Sequence, residues 1–303
     1  MGRILSKPVR ILRKGRFIML IHIVKMGETL YRIALLYQIP VSRIISDNGM
    51  TYPYTLVLGQ ALIITQPDVV HTVRSGESAY SIALHYGITV QELYQNNPEL
   101  ADRTPIFLGQ TLTISFKGTK ERGISVNGYA YPHVNRHVLR RTLPYLSYLS
   151  IFSYGIRQDG VILQPEDEDL IQLARIFQAQ PVLVLTSIDE RGTFSTENTK
   201  RLLTDEEFQN KVLRNLIEIM QEKGYRGMDS DFEYIPEENA DDYVAFLENA
   251  HRQLSEVGLF LHTALAPKTS ANQPGLLYAG HRYPEIGAAS DRVLLMTYEW
   301  GYT

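Results

Sequence analysis

Asp229, Asp231 and Glu233 stand two apart in the stretch Tyr225 to Ile235, YRGMDSDFEYI, interleaved with Met228, Phe232 and Tyr234. In a β-strand alternate side chains share a face, so this spacing lines the three carboxylates up together and turns the hydrophobic residues the other way. Acids gathered on one face of a buried strand are costly to desolvate unless a site uses them. Such a group can hold a proton at neutral pH and deliver it, which is general acid chemistry. The alternatives are a solvated acidic loop and a metal cluster. No histidine or further acid is spaced to complete a metal shell, so no metal or other cofactor is expected.

The surrounding pattern is that of a strand-and-helix protein. Strands are expected at Ser125 to Ala130, Leu146 to Tyr154, Val182 to Ser187, Tyr225 to Glu233, Phe260 to Ala266 and Val293 to Tyr298. Between them, Asp167 to Gln178 and Asp241 to Val257 carry apolar residues at helical spacing. A further helix is capped by Thr204, with Glu207 three residues on and Phe208, Val212, Leu216 and Ile219 along one face. Alternating short buried strands and helices argue for a parallel α/β fold. Tyr129, Tyr154, Asp231, Glu233, Ala266-Pro267 and Tyr298-Glu299-Trp300 gather at the C-terminal strand ends, where a (β/α)8 barrel has its active site. A doubly wound sheet is the alternative, but no glycine-rich phosphate loop follows the first strand.

The first third of the chain is a repeat. His22-Ile-Val-Lys-Met-Gly-Glu-Thr-Leu-Tyr-Arg-Ile-Ala aligns with His71-Thr-Val-Arg-Ser-Gly-Glu-Ser-Ala-Tyr-Ser-Ile-Ala, and Leu58-Gly-Gln-Ala-Leu-Ile-Ile with Leu108-Gly-Gln-Thr-Leu-Thr-Ile. Each copy reads as a short strand, a turn glycine, a helix, a second helix beginning near Val41 or Val90, a Gly-Gln turn and a closing strand. These are small βααβ units with marginal cores. Ahead of them Arg3, Lys7, Arg10, Arg13, Lys14 and Arg16 come with no acid before Glu28. A mis-assigned start, with Met19 as the true one, or a disordered basic tail fits this segment better than a nucleic-acid arm.

Composition excludes several classes. A net charge of -3 offers no argument for nucleic acid, and the absence of cysteine removes disulfides, a thiolate nucleophile and Cys-ligated zinc. No apolar run reaches the roughly 18 residues that span a membrane. Phe17 to Ile23 is too short and interrupted for a signal-peptide core.

These motifs resemble known families. The repeats, over residues 21–65 and 70–115, resemble the LysM module in the opening Val-x-x-Gly-Glu, the Ile-Ala helix, the asparagine near the second helix end (Asn48; Asn96 or Asn97) and the terminal Leu-Gly-Gln-x-Leu-x-Ile. That resemblance implies binding of peptidoglycan or chitin-like glycans containing N-acetylglucosamine. The contacts it implies are Gly27, Glu28, Thr29 and Leu30 with Asn48 to Met50, and Gly76, Glu77, Ser78 and Ala79 with Asn97 to Leu100. Gly227-Met-Asp-Ser-Asp-Phe-Glu resembles the Asp-Gly-x-Asp-x-Asp-x-Glu signature of family 18 glycoside hydrolases, and Met296-Thr-Tyr-Glu299 its sixth-strand Met-x-Tyr-Asp. The layout is similar to the cortex-lytic N-acetylglucosaminidases of spore-forming bacteria.

That resemblance implies Glu233 as general acid, Asp231 as holder of the substrate acetamido group, Asp229 as tuner of Asp231, and Tyr298 as a further acetamido ligand. Tyr129, Tyr154, Met296, Glu299 and Trp300 are the expected substrate contacts. Arg226 replaces the leading Asp of the signature and Glu299 the Asp after the tyrosine. The expected fold is a (β/α)8 TIM-type barrel over 122–303, after a basic tail at 1–20 and the two modules. It is expected to be incomplete at its C-terminal end, because Gly123 to Thr303 supplies 181 residues where such barrels take about 250. A fragment, a truncated gene model or a split product would explain this, and the chain alone would be poorly soluble or weakly active. The implied protein is a monomer at the spore coat or cortex surface, or in the cell wall. It would be a hydrolase, or else a non-catalytic glycan binder with an inert barrel.

Overall fold

The two repeats fold alike because their apolar residues fall at matching positions. In the computed structural model the described residues are 19–102, 105–118, 122–275 and 277–297; the basic segment 1–18 lies outside them. In the first repeat β1 (Met19–Ile23) pairs antiparallel with β2 (Ala61–Thr65), and α1 (Leu30–Tyr37) and α2 (Val41–Asp47) lie between them in sequence. Leu20, Ile33, Ile44, Leu62 and Ile64 form the core. The second repeat has β3 (Pro67–Thr72), α3 (Ala79–Tyr86), α4 (Val90–Asn96) and β4 (Thr111–Phe116) around Val73, Ile82, Leu93, Leu112 and Ile114. Arg43 ties the repeats together. Its guanidinium pairs with Asp47, donates to the Asn96 carbonyl at 2.6 Å and lies over the Phe116 ring at 4.8 Å.

One position differs instructively between the repeats. Helix α3 ends on Gly87 with φ +66°, whereas α1 ends on Gln38 in the same left-handed conformation, φ +57°. A side chain is strained there and glycine is not. Gln38→Gly should therefore stabilise the first repeat by about 0.5–1 kcal/mol. A denaturant melt showing no gain would mean that the cap is not under strain.

The chain divides into two units, residues 1–124 and 125–303. The second is built on six parallel strands in the order β11-β10-β9-β8-β6-β5. In chain order these elements are β5 (Asn127–Ala130), α5 (Arg136–Thr142), β6 (Tyr148–Ile156), β7 (Ile162–Leu163), α6 (Glu168–Ile176), β8 (Gln180–Leu185), α7 (Thr196–Thr204) and α8 (Glu206–Lys223). They continue as β9 (Gly227–Ser230), α9 (Ala240–Glu256), β10 (Phe260–Leu265), α10 (Tyr283–Ala289) and β11 (Arg292–Leu295). The small β7 folds back antiparallel onto the end of β6. This is an open (β/α)-type barrel after two βααβ modules. Among the described residues β5 and β11 are its edges. Leu183 of β8, Leu213, Leu216 and Met220 of α8 and Leu247 of α9 are fully buried, as parallel strands covered by helices require.

Two expected elements are corrected. Thr204 does not cap α8. It is the last residue of α7, and Asp205 is the cap, accepting from the Phe208 amide at 3.0 Å. The fourth strand ends at Ser230, earlier than Glu233. Its last rung is the Asp231 amide on the Leu185 carbonyl at 2.9 Å.

Candidate active site

Alternation along β9 sorts its side chains as the spacing demands. Met228 is buried toward the helices, and the Ser230 hydroxyl lies 3.0 Å from Tyr243 of α9. Phe232, just past the strand, keeps that parity and packs against Tyr243 and Phe246. Asp229 and Asp231 therefore point to the opposite, inner side. The Asp229 Oδ2 accepts from the Tyr129 hydroxyl of β5 at 2.5 Å and stands 3.5 Å from the Ser150 hydroxyl of β6. The other oxygen of Asp229 and one oxygen of Asp231 are buried and accept no hydrogen bond from the described residues. Glu233 is half-buried, in the loop two residues beyond Asp231.

The electrostatics follow from this placement. Burial pushes the Asp229 carboxyl up to about 6, against the opposing bonds from Tyr129 and Ser150. Burial, with the charges of Asp229 and Glu233 beside it, raises Asp231 to about 7. Near neutral pH this pair retains a proton. Beneath Asp229 a small cavity of about 90 Å³ is bounded by Asn127, Tyr148, His262 and Arg292. His262 is driven down to about 4 by burial and the adjacent Arg292, so it is neutral there. Among the described residues no group of His, Asp or Glu is placed to hold a metal ion.

His281 was invisible to sequence reasoning, since it lies 48 residues beyond Glu233 with no motif around it. It is 1% exposed, stacks on Tyr243, and its Nε2 donates to the Phe232 carbonyl at 3.0 Å. The donor role follows because a carbonyl can only accept. Burial holds its pKa below the usual value, so the ring is neutral. Gly280 beside it touches the same segment so closely that a Cβ there would meet the Ile235 carbonyl oxygen at 2.3 Å. His281→Ala should cost about 1–3 kcal/mol, and His281→Gln, which can still donate to Phe232, should recover part of it. Equal melting temperatures for the two variants would mean that the hydrogen bond is not what anchors the segment.

The expected substrate contacts are distributed as follows. Tyr129 reaches the site. Tyr154 does not: it is fully buried, with its hydroxyl on Asp167 and its ring edge-on to Tyr225. The cause is a register shift in β6 between Ile151 and Tyr154, which moves Tyr154 to the helix side. Met296 is buried just past β11, its amide on the Leu265 carbonyl. Tyr298, Glu299 and Trp300 lie outside the described residues. An aromatic stack that the sequence reading left out stands at the same strand ends. The exposed Tyr131 lies on Phe152 at 4.9 Å and 17°, and on His133 at 5.3 Å.

In the small modules most of the expected contact residues hold the fold. Gly27 and Gly76 take φ of +77° and +83° in the turn before the first helix. Glu28 accepts from the Lys25 amide at 2.7 Å and meets His22 Nε2 at 2.9 Å, and Glu77 does the same with Arg74 and His71, both at 2.7 Å. Tyr37 and Tyr86 complete the pattern on the other ring nitrogen, each at 3.1 Å. Thr29 and Ser78 are helix caps, and Leu30 and Ala79 pack on the cores. Asn48 clips α2 to β2 through the Ile44 and Ile63 backbone; Asn97, not Asn96, is its counterpart, bonded to Leu93 and Thr113. Exposed Tyr52 and Tyr54, edge-to-face at 5.7 Å, stand in the loop before β2, and the corresponding loop of the second repeat carries the exposed Phe107.

Comparison with known proteins places this geometry. The LysM domain profile matches residues 22–65 and 71–115, and the profile of glycosyl hydrolases family 18 matches residues 126–302. The chain belongs to glycosyl hydrolases family 18 and carries tandem LysM domains. It is 35% identical over 291 residues to the cortical fragment-lytic enzyme of Bacillus subtilis (strain 168), covering 94% of this chain and 67% of that protein. The Bacillus anthracis cortical fragment-lytic enzyme is 36% identical, with 92% and 65% covered. Among solved structures, the Bacillus cereus spore cortex-lytic enzyme SleL superimposes with a TM-score of 0.71 at 34% identity, over 94% of this chain and 66% of that one. The chain thus spans about two thirds of the length of these relatives.

Proposed function

We propose that the chain is a glycan hydrolase cleaving bonds to N-acetylglucosamine in peptidoglycan of the spore cortex or cell wall, held on its substrate by the LysM modules. The observation that carries this reading is the buried Asp229–Asp231 pair, raised toward neutrality and followed by Glu233, at the C-terminal end of β9 in a family 18 frame. Similarity to cortical fragment-lytic enzymes over nearly the whole chain supports the substrate class.

In this reading Glu233 donates its proton to the glycosidic oxygen as the bond to C1 breaks. The carbonyl oxygen of the substrate's own acetamido group forms the new bond to C1, so no protein nucleophile is needed across the ring. Asp231, sharing a proton with Asp229, accepts a hydrogen bond from the acetamido N–H and keeps its oxygen aimed at C1. Tyr129 steadies Asp229, and Tyr298 would assist at the acetamido group. Water then attacks C1, its proton passing to Glu233, with retention of configuration. The Tyr131–Phe152 stack offers an apolar face to a sugar ring, and exposed Tyr52 and Tyr54 do so in the first module. Release of reducing ends from cortex fragments, with less from chitin oligomers, is the expected result. Binding to both without release from either would replace this reading by a non-catalytic glycan binder.

A further inference from the structure

Each small module buries a histidine between a tyrosine and a glutamate. His22 and His71 are 6% and 7% exposed. The Nδ1 of each ring lies 3.1 Å from a hydroxyl, of Tyr37 or Tyr86, and the Nε2 meets Glu28 at 2.9 Å or Glu77 at 2.7 Å. The tyrosine ring stands edge-on to the histidine at 5.6 Å in both modules. The intervals also repeat, 6 residues to the glutamate and 15 to the tyrosine. Positions close by diverge, with Arg32 against Ser81 and Gln38 against Gly87. Packing alone does not call for a buried imidazole, since an aliphatic side chain would fill the space without polar atoms to satisfy.

The partners fix the direction of each bond. Burial works to raise the Glu28 carboxyl, but the bonds from the Lys25 amide and His22 outweigh it and hold the group below the usual carboxylate range. Glu77 is lowered by the Arg74 amide and by His71, against burial. An ionised carboxylate only accepts, so Nε2 carries a hydrogen in both rings. In a neutral ring Nδ1 accepts from the tyrosine hydroxyl, and in a protonated ring it donates to the same oxygen, so both contacts survive either state. At the far end the glutamate closes a turn. Glu28 Oε2 accepts from the Lys25 amide at 2.7 Å and the Glu28 amide donates back to the Lys25 carbonyl at 3.2 Å, with Glu77 and Arg74 alike at 2.7 and 3.3 Å. Gly27 and Gly76 sit in these turns at positive φ, and a Cβ on either would meet nothing within 4 Å. Glycine is required there by its φ and not by crowding, and the outer side of the turn is open to a ligand.

We infer that His22 and His71 are positioning residues for glycan binding: each, oriented by its tyrosine, holds through its glutamate the turn that meets the sugar. The inference rests on the reading of the modules as glycan binders given above. The histidines are too buried to touch a sugar themselves. What they supply is a turn already shaped before the ligand arrives, which lowers the ordering cost of binding.

The test is a nuclear magnetic resonance titration of the isotope-labelled full chain with the N-acetylglucosamine pentamer, in a Glu233→Gln background so that the probe is not consumed. Amide signals of residues 25–31 and 74–80 then report the affinity of each module separately. Tyr37→Phe deletes one buried oxygen and keeps the ring, so the module stays folded, which its core signals check. It should weaken the first module about threefold and leave the second unchanged. His22→Gln places an amide donor near the position of Nε2 without needing Tyr37. It should hold the first module's affinity within about twofold, and adding Tyr37→Phe to it should then cost nothing further. Equal affinity with and without the Tyr37 hydroxyl, or the same loss from Tyr37→Phe in both backgrounds, would overturn the positioning role, as would a chain with His22→Gln whose first module no longer binds. A pentamer that moves neither segment would overturn the glycan-binding reading of the modules, and the inference with it.

Discussion

Glu233→Gln should lower turnover on an N-acetylglucosamine-containing glycan by about 10²- to 10⁴-fold, with KM nearly unchanged. Glutamine keeps the size and the hydrogen-bonding reach of the side chain but has no acidic proton for the glycosidic oxygen. The backbone that carries it would not move, because Phe232 is wedged against Tyr243 and Phe246 and its carbonyl is held by His281. Loss of turnover should therefore come without loss of the melting transition of residues 125–303. Asp231 cannot take over the proton donation, since it is 7% exposed and would be committed to the acetamido group. Steady-state kinetics on a fluorogenic substrate would check this. Activity within tenfold of the parent chain would remove Glu233 from the mechanism.

How much of this could be read from the sequence depends on the range of the signal. Period-two spacing around Asp229 and Asp231 is local, and the inner face it implied is the one they occupy, opposite Ser230 and Phe232. The repeats were legible for the same reason, because the turn glycines and the Ile-Ala helices are short-range patterns. Parity failed where the strand itself is irregular. The shift in β6 after Ile151 carried Tyr154 to the helix side and into hydrogen bonding with Asp167, and no residue type in Leu146 to Tyr154 announces it. Boundaries failed where two caps compete. Thr204 and Asp205 are both good N-cap residues, and only the preceding helix α7 shows that Thr204 is already inside one. His281 was beyond reach because its role depends on a contact between segments 49 residues apart. The asparagines of the modules were located correctly near the second helix ends, yet their amides bond the module's own backbone.

Asp231→Asn should make the second unit more stable at pH 8 and abolish most of its activity in the same step. Burial raises the folded-state pKa of Asp231 to about 7 and that of Asp229 to about 6, whereas an aspartate in the unfolded chain titrates near 3.9. The folded state thus binds protons more tightly than the unfolded state between these values. Stability from these groups is fully present below about pH 4 and is lost as pH rises through 6 and then 7. For each carboxyl alone the loss is on the order of 3 kcal/mol for Asp229 and 4 kcal/mol for Asp231, and the two are not additive because each charge raises the cost of the other. Asparagine keeps the shape and removes the charge, so the gain should approach about 4 kcal/mol at pH 8 and be near zero at pH 4. The activity falls because the acetamido group loses the carboxylate that aims it, a case of a site kept at the expense of stability. Melting curves of parent and variant at the two pH values give the comparison. An equal shift at both pH values, or a lower melting temperature for the variant at pH 8, would show that Asp231 is stabilised as a carboxylate and that the shared-proton account of the pair is wrong.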